Sequence, residues 1–159
     1  MKIVKNLAFL FIATLLVGFS FTSCSDDDDD INVSHSDLIG SWQVVSSEGY
    51  TKMAGMKVDN NNNDEELLTF TFNEDGTFIL ITEEEWNGKM WRYEDGGTWS
   101  LKGDKLTIKY DDDDDENNFP EKITKITSSE LVTVISEKGK YEGIPYEFYK
   151  KTIYTKVSN

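Results

Sequence analysis

From Ser41 onward the chain alternates apolar and polar residues with a period of two, and turn residues interrupt the pattern at strand-length intervals. Successive side chains of a strand point to opposite faces, so this pattern buries one face of a sheet and wets the other. Leu68, Phe70 and Phe72 share a face, as do Phe78 with Leu80, Trp91 with Tyr93, Leu106 with Ile108 and Tyr110, and Tyr146 with Phe148. Between these runs lie Asp75-Gly76, Asn87-Gly88, Asp95-Gly96-Gly97, Gly103-Asp104 and Ser128-Ser129, which supply the backbone freedom of tight turns. The pattern predicts strands over 41–48, 66–73, 77–82, 89–93, 98–101, 105–110, 121–127, 130–137 and 146–157. Strands joined in sequence by hairpins close most simply into an all-β, antiparallel up-and-down β-barrel of about eight strands, which leaves no open edge. A sandwich of two sheets is the structural alternative. Helical periodicity is confined to one short turn that Ser36 or Asp37 caps and Gly40 ends.

One connection is long. Residues 49–65 hold the apolar Met53-Ala54-Gly55-Met56 and then an Asn-rich stretch. The apolar half suggests a lid over a barrel mouth and the Asn-rich half a mobile tip.

The first residues are an address rather than part of the fold. Lys2 and Lys5 precede an apolar run over Leu7–Phe21, shorter than the ~20 residues of a spanning helix. Small residues follow, and then Cys24, the single cysteine of the chain. The segment resembles the signal peptide and lipobox of bacterial lipoproteins, which implies cleavage after residue 23 and acylation of Cys24. Ser25 and the run Asp26, Asp27, Asp28, Asp29 and Asp30 follow directly. Five adjacent carboxylates repel one another and form a solvated spacer. Their position is also similar to the export signal of Bacteroidota-type lipoproteins, which implies the outer membrane with the protein facing the cell exterior; the periplasm-facing leaflet is the alternative. The expected organisation is a signal peptide over 1–23, a lipidated cysteine and acidic tether over 24–36, and the barrel over 37–159. The lone His35 falls in the tether on this reading.

Several chemistries are poorly served. Acids number 30 against 16 Lys and Arg, for a net charge of -14, which is the wrong balance for nucleic acid. One cysteine and one histidine preclude an intramolecular disulfide and a multi-Cys or multi-His metal site. A Ser or Cys nucleophile lacks a histidine base in the folded part. For calcium, a loop counted from Asp111 puts Glu116 at the sixth position and Lys122 at the twelfth, and one counted from Asp59 puts Asp64 and Phe70 there. Neither fits the Gly and Glu of an EF-hand. Glu83-Glu84-Glu85 beside Trp86 is the best candidate for paired carboxylates, against the simpler reading of a charged hairpin end. No catalytic residue, metal or cofactor is assigned.

The chain's Gly40-Ser41-Trp42, preceded by Asp37-Leu38-Ile39, resembles the Gly-x-Trp signature of the lipocalin superfamily. Residues 67–78 and 97–106 are similar to lipocalin-like domains of small Bacteroidota-type lipoproteins. The resemblance implies a lipocalin-like barrel in which Trp42 packs across the closed end. It also implies a basic side chain on that indole, for which Lys150 and Lys151 are the candidates. A barrel of this kind encloses a pocket lined by alternate side chains, here Phe70, Phe72, Phe78, Leu80, Trp91, Tyr93, Ile108 and Phe148. The functional expectation is noncatalytic binding of a small apolar or amphipathic ligand. The alternative is an interaction module with a filled barrel, presenting loops or an exposed Trp86 to a surface protein or glycan. Replacing Asp26–Asp30 with lysines is expected to strand the protein on the inner leaflet, read as loss of labelling by a membrane-impermeant reagent on intact cells; undiminished labelling rejects the export signal.

Overall fold

The computed structural model describes residues 31–60, 67–111 and 120–158. The Cys24 and Asp26–Asp30 assignments, the Asn-rich segment 61–66 and most of the Asp111–Asp115 run lie outside these residues. A short helix, α1 (His35–Leu38), precedes nine strands: β1 (Gly40–Met53), β2 (Met56–Asp59), β3 (Leu67–Phe72), β4 (Thr77–Trp86), β5 (Lys89–Lys102), β6 (Lys105–Tyr110), β7 (Glu121–Ile126), β8 (Glu130–Tyr141) and β9 (Ile144–Val157). Every neighbouring pair is antiparallel, and β1 also pairs with β9. β1 and β3 to β9 therefore form a closed eight-stranded up-and-down barrel, and β2 is a short extra strand folded back on the end of β1.

The strand pairing defines two ends. At one end lie α1 and the β3–β4, β5–β6 and β7–β8 turns; at the other lie the β1–β2, β4–β5 and β8–β9 hairpins. The α1 end is closed. Trp42 is fully buried and its Nε1 donates to the Leu38 carbonyl at 2.8 Å. Lys156 Nζ lies over the indole at 4.8 Å from the ring centre. The basic partner expected among Lys150 and Lys151 is thus Lys156. Register explains the change: Trp42 stands opposite Lys156, whereas Lys150 and Lys151 stand opposite Gly49 and Glu48, farther up the barrel.

The floor includes residues expected in the tether. Val33 is buried, Ile31 packs against the core, and His35 stacks on Trp99 with ring centres 4.2 Å apart. Ser34, rather than Ser36 or Asp37, caps α1, and its N–H donates to Asp37 Oδ2 at 2.9 Å. Hydrogen bonding from the Ser34 side chain first, and from its backbone N–H second, holds the Asp37 carboxyl below its usual range. The apolar side chains of Ile31 and Val33 decide the boundary, because burying them outweighs the polarity of their neighbours.

Two other expectations change. The Asp95-Gly96-Gly97 segment does not turn; it lies inside β5, which runs unbroken past it. Gly97 is there for close approach, since an added Cβ would overlap the Lys109 carbonyl and the Phe78 ring. Met53-Ala54-Gly55-Met56, read as a lid, is a hairpin turn with Met53 opposite Met56, and Ala54 and Gly55 both at positive φ. The β1 strand simply continues until the residues able to reverse the chain.

Gly97→Ala is expected to lower stability by ~1–3 kcal/mol, the range for forcing atoms into a packed site. Gly96→Ala, whose Cβ would sit at 3.5 Å from the nearest atom, is expected to be neutral or slightly stabilising. Thermal melts of the two variants check the contrast; equal melting temperatures reject the role assigned to Gly97.

Candidate functional site: the open end of the barrel

Directly opposite residues of an antiparallel pair share a face, so the register sorts inward from outward side chains along every strand. In the closed half the inward residues are packed solid. Phe70 lies 6.1 Å from each of Phe72, Phe78 and Tyr154, ring centre to ring centre. Phe72 meets the Trp99 ring edge-on at 5.4 Å, and Leu80, Leu106, Ile123 and Leu131 fill the remaining space. Of the eight pocket candidates, Phe70, Phe72, Phe78 and Leu80 belong to this packed half. Ile108, opposite Trp99, is half-buried against this core; Phe148 is half-buried farther up, and Trp91 and Tyr93 are exposed on the β4–β5 hairpin. The structure therefore separates them into a floor and a mouth.

The mouth is built by the three hairpins that run past the packed core. Met53, Met56, Val58, Trp86, Trp91, Tyr93, Tyr141 and Ile144 are all exposed there. The register puts all eight on faces continuous with the inner wall: Met53 opposite Met56, Thr51 opposite Val58, Glu84 opposite Trp91, Thr82 opposite Tyr93, and Tyr141 opposite Ile144. Trp86, at 66% exposed, closes this series at the hairpin tip. The sequence shows these side chains as parts of alternating strands; their exposure follows from the length of the hairpins, which no local pattern reveals.

Polar groups also stand at inward register positions. Glu121 sits at the start of β7, opposite Leu106 and two residues from Ile123, both of which point inward. Its Oε2 is fully buried and meets no hydrogen-bond donor. Burial pushes the Glu121 carboxyl above its usual range, while a hydrogen bond from Thr133 and the charge of Lys150 pull the other way. Tyr154 beside it is raised by burial first and by the Glu121 charge second, with hydrogen bonds to Thr133 and Thr152 opposing. Nearer the rim, the Tyr146 hydroxyl donates to Glu137 at 2.5 Å and the Tyr93 hydroxyl donates to Glu84 at 3.2 Å. Both tyrosines are raised by those bonds. On the outer face Tyr50 donates to Glu147 at 2.6 Å, which lowers the Glu147 carboxyl.

Glu83-Glu84-Glu85 does not assemble into a carboxylate pair. Glu84 stands opposite the inward Trp91, and its two neighbours, by alternation, point the other way. Among the described residues no group of three or more His, Cys, Asp or Glu is placed to hold a metal ion. Glu121 is the buried carboxylate that sequence reasoning missed. It sits at a strand start beside a charged loop and looks like surface there; its inward parity with Ile123 is the signal that was available.

A family profile described as a lipocalin-like domain matches residues 38–133. No curated protein matches the chain. Among solved structures, an uncharacterized protein from Bacteroides eggerthii is similar at 14% identity and a TM-score of 0.46, covering 76% of this chain and 99% of that one. Bovine odorant binding protein complexed with its natural ligand is similar at 17% identity and a TM-score of 0.42, over 83% of this chain and 79% of that one. Apocrustacyanin C2 is similar at 12% identity and a TM-score of 0.47, over 77% of this chain and 62% of that one.

A buried acid with a raised pKa weakens the fold once it ionises, so its cost is absent below its unfolded value of 4.5 and grows as pH rises through the folded value. Glu121→Gln is therefore expected to melt higher than the parent at pH 7, by ~2–4 °C per kcal/mol for a chain of this size. The gain is expected to vanish below about pH 4.5. Paired melts across pH check this, and a constant difference rejects it.

Proposed function

The chain belongs to the lipocalin-like domain family, and on that footing we propose that it binds a small apolar or amphipathic molecule at the open end of its barrel, without transforming it. We place it on the outer membrane, held through an acylated Cys24 and facing the cell exterior. The observation that carries the binding reading is the lining of the mouth. Large apolar side chains cost free energy when left in water, and here they line the inner faces of three hairpins above a packed floor. Such a wall offers contact to a guest that enters from the open end, with the polar rim groups orienting it.

The geometry fits an anchored protein. The described chain enters at the closed end, where Val33 and α1 cover the floor. A tether from Cys24 to Ile31 reaches at most ~3.3–3.6 Å per residue. The mouth would therefore open away from the membrane, toward incoming ligand.

A second reading rests on Trp86 and Tyr141, which stand at 66% and 63% exposed near the hairpin tips. Aromatic residues presented this way suit a protein or glycan partner on the cell surface. Native mass spectrometry of protein gently purified from its own host separates the readings. A stoichiometric small molecule supports the barrel binder. An empty protein that shows no thermal shift with lipids moves the choice to the interaction module.

Trp91→Ala and Phe148→Ala are each expected to weaken binding of that molecule about tenfold, the equivalent of losing the burial of part of one aromatic side chain. Affinity by titration calorimetry checks it; unchanged affinity in both removes the mouth as the site.

A further inference from the structure

We infer that the ligand of the open end carries a monoanionic head group, which the Lys150 ammonium receives at the bottom of the mouth. The inference rests on the barrel-binding reading and specifies its ligand class. Its starting point is a cation inside the barrel. Lys150 stands opposite Gly49 of β1 and Ile135 of β8, so it lies on the inner wall between two paired strands. It is nonetheless exposed, whereas Thr152, the next inward residue of β9 toward the floor, is buried. A side chain at such a position meets water through the interior of the barrel. The mouth is therefore open down to Lys150, and the packing closes at Thr152. Among the described residues the Lys150 ammonium makes no hydrogen bond or salt bridge.

A cavity of about 210 Å³ lies at this level, lined by Ser47, Gly49, Asn60, Phe148, Tyr149 and Lys150. Asn60 is fixed there by two bonds: its N–H donates to the Gly49 carbonyl and its Nδ2 to Thr51 Oγ1, each at 2.8 Å. The lining thus combines one positive charge, a hydroxyl and an amide with an apolar ring. An oxyanion on an apolar tail complements that set, because a charge-assisted hydrogen bond needs the opposite charge. The cavity is smaller than the ~300 Å³ at which pockets for whole ligands begin. It has room for the head group and the first carbons, and the tail continues toward the mouth. Its path is apolar: above the cavity β1 and β2 present Met53, Met56 and Val58 inward, and β9 presents Tyr146 and Ile144. The carboxylates of the inner wall stand apart or have partners. Glu84 and Asp95 lie on the β4–β5 hairpin, and Glu84 and Glu137 accept the hydroxyls of Tyr93 and Tyr146. The charge of Lys150 reaches the Glu121 carboxyl, but burial holds that group toward its neutral form.

The test uses residues 24–159 carrying Cys24→Ser, which retain every core residue described. Decanoate, decanol and decylammonium are titrated below their micellar concentrations by calorimetry. Decanoate is expected to bind about tenfold more tightly than either of the others, the worth of one charge-assisted hydrogen bond. Lys150→Met is expected to bring decanoate and decanol within about twofold of each other. Lys138→Met, at an outward position, is expected to leave the preference for decanoate intact. Melting curves show that the variants fold, and Lys150→Gln replaces Lys150→Met if that one does not. If decanol or decylammonium matches decanoate on the parent protein, the head-group assignment fails and barrel binding stands. If the preference survives the loss of Lys150, or disappears equally with Lys138→Met, the role of Lys150 is overturned. If none of the three binds, the barrel-binding reading fails and this proposal with it.

Discussion

The first and last strands meet along their length, with Ser41 opposite Val157 at the floor and Met53 opposite Tyr146 at the mouth. Without that ladder the chain would be an open sheet with two bare edges, prone to pair with other chains. Closing it brings together segments about a hundred residues apart, at an entropic cost that grows only slowly with loop length. Trp42 secures the joint. It is buried beneath α1, bonded to the Leu38 carbonyl and covered by Lys156 from the partner strand. One indole thereby links the entering chain, the first strand and the last.

That closure produces the division on which the proposed function rests. The inner faces meet and fill the barrel where the aromatic residues of β3 and β4 converge with Trp99 and Tyr154. Beyond this layer the hairpins outrun the core and their inner faces open. Glu121 stands among the packed residues, opposite Leu106 and two residues from Ile123, and its Oε2 is buried without a hydrogen-bond partner. Burial there raises the Glu121 carboxyl above its usual range.

Much of this was readable in advance. Alternation identified the inward faces of β3, β4, β6 and β9, and Gly40-Ser41-Trp42 marked the closed end. The errors have specific causes. Gly96-Gly97 has the composition of a turn, yet tertiary crowding against Phe78 and Lys109 requires small residues in a continuous strand. Met53 to Met56 has the composition of a lid, and local chain reversal makes it a hairpin. His35 and Val33 follow an acidic spacer, and burial against the floor draws them into the fold.

By itself the sequence determined that the chain is all-β and that it closes by sequential antiparallel hairpins, because a two-residue period and turn chemistry are local properties. It also determined which side chains share each face. The tertiary structure decided how far the core extends along those faces, which separates Phe70 and Phe78 in the floor from Trp91 and Phe148 toward the mouth. It decided as well that Lys156 rather than Lys150 covers Trp42, and that Glu121 is buried without a donor. These depend on register and on distances across the barrel, and such distances exist only after strands far apart in the chain have been brought together.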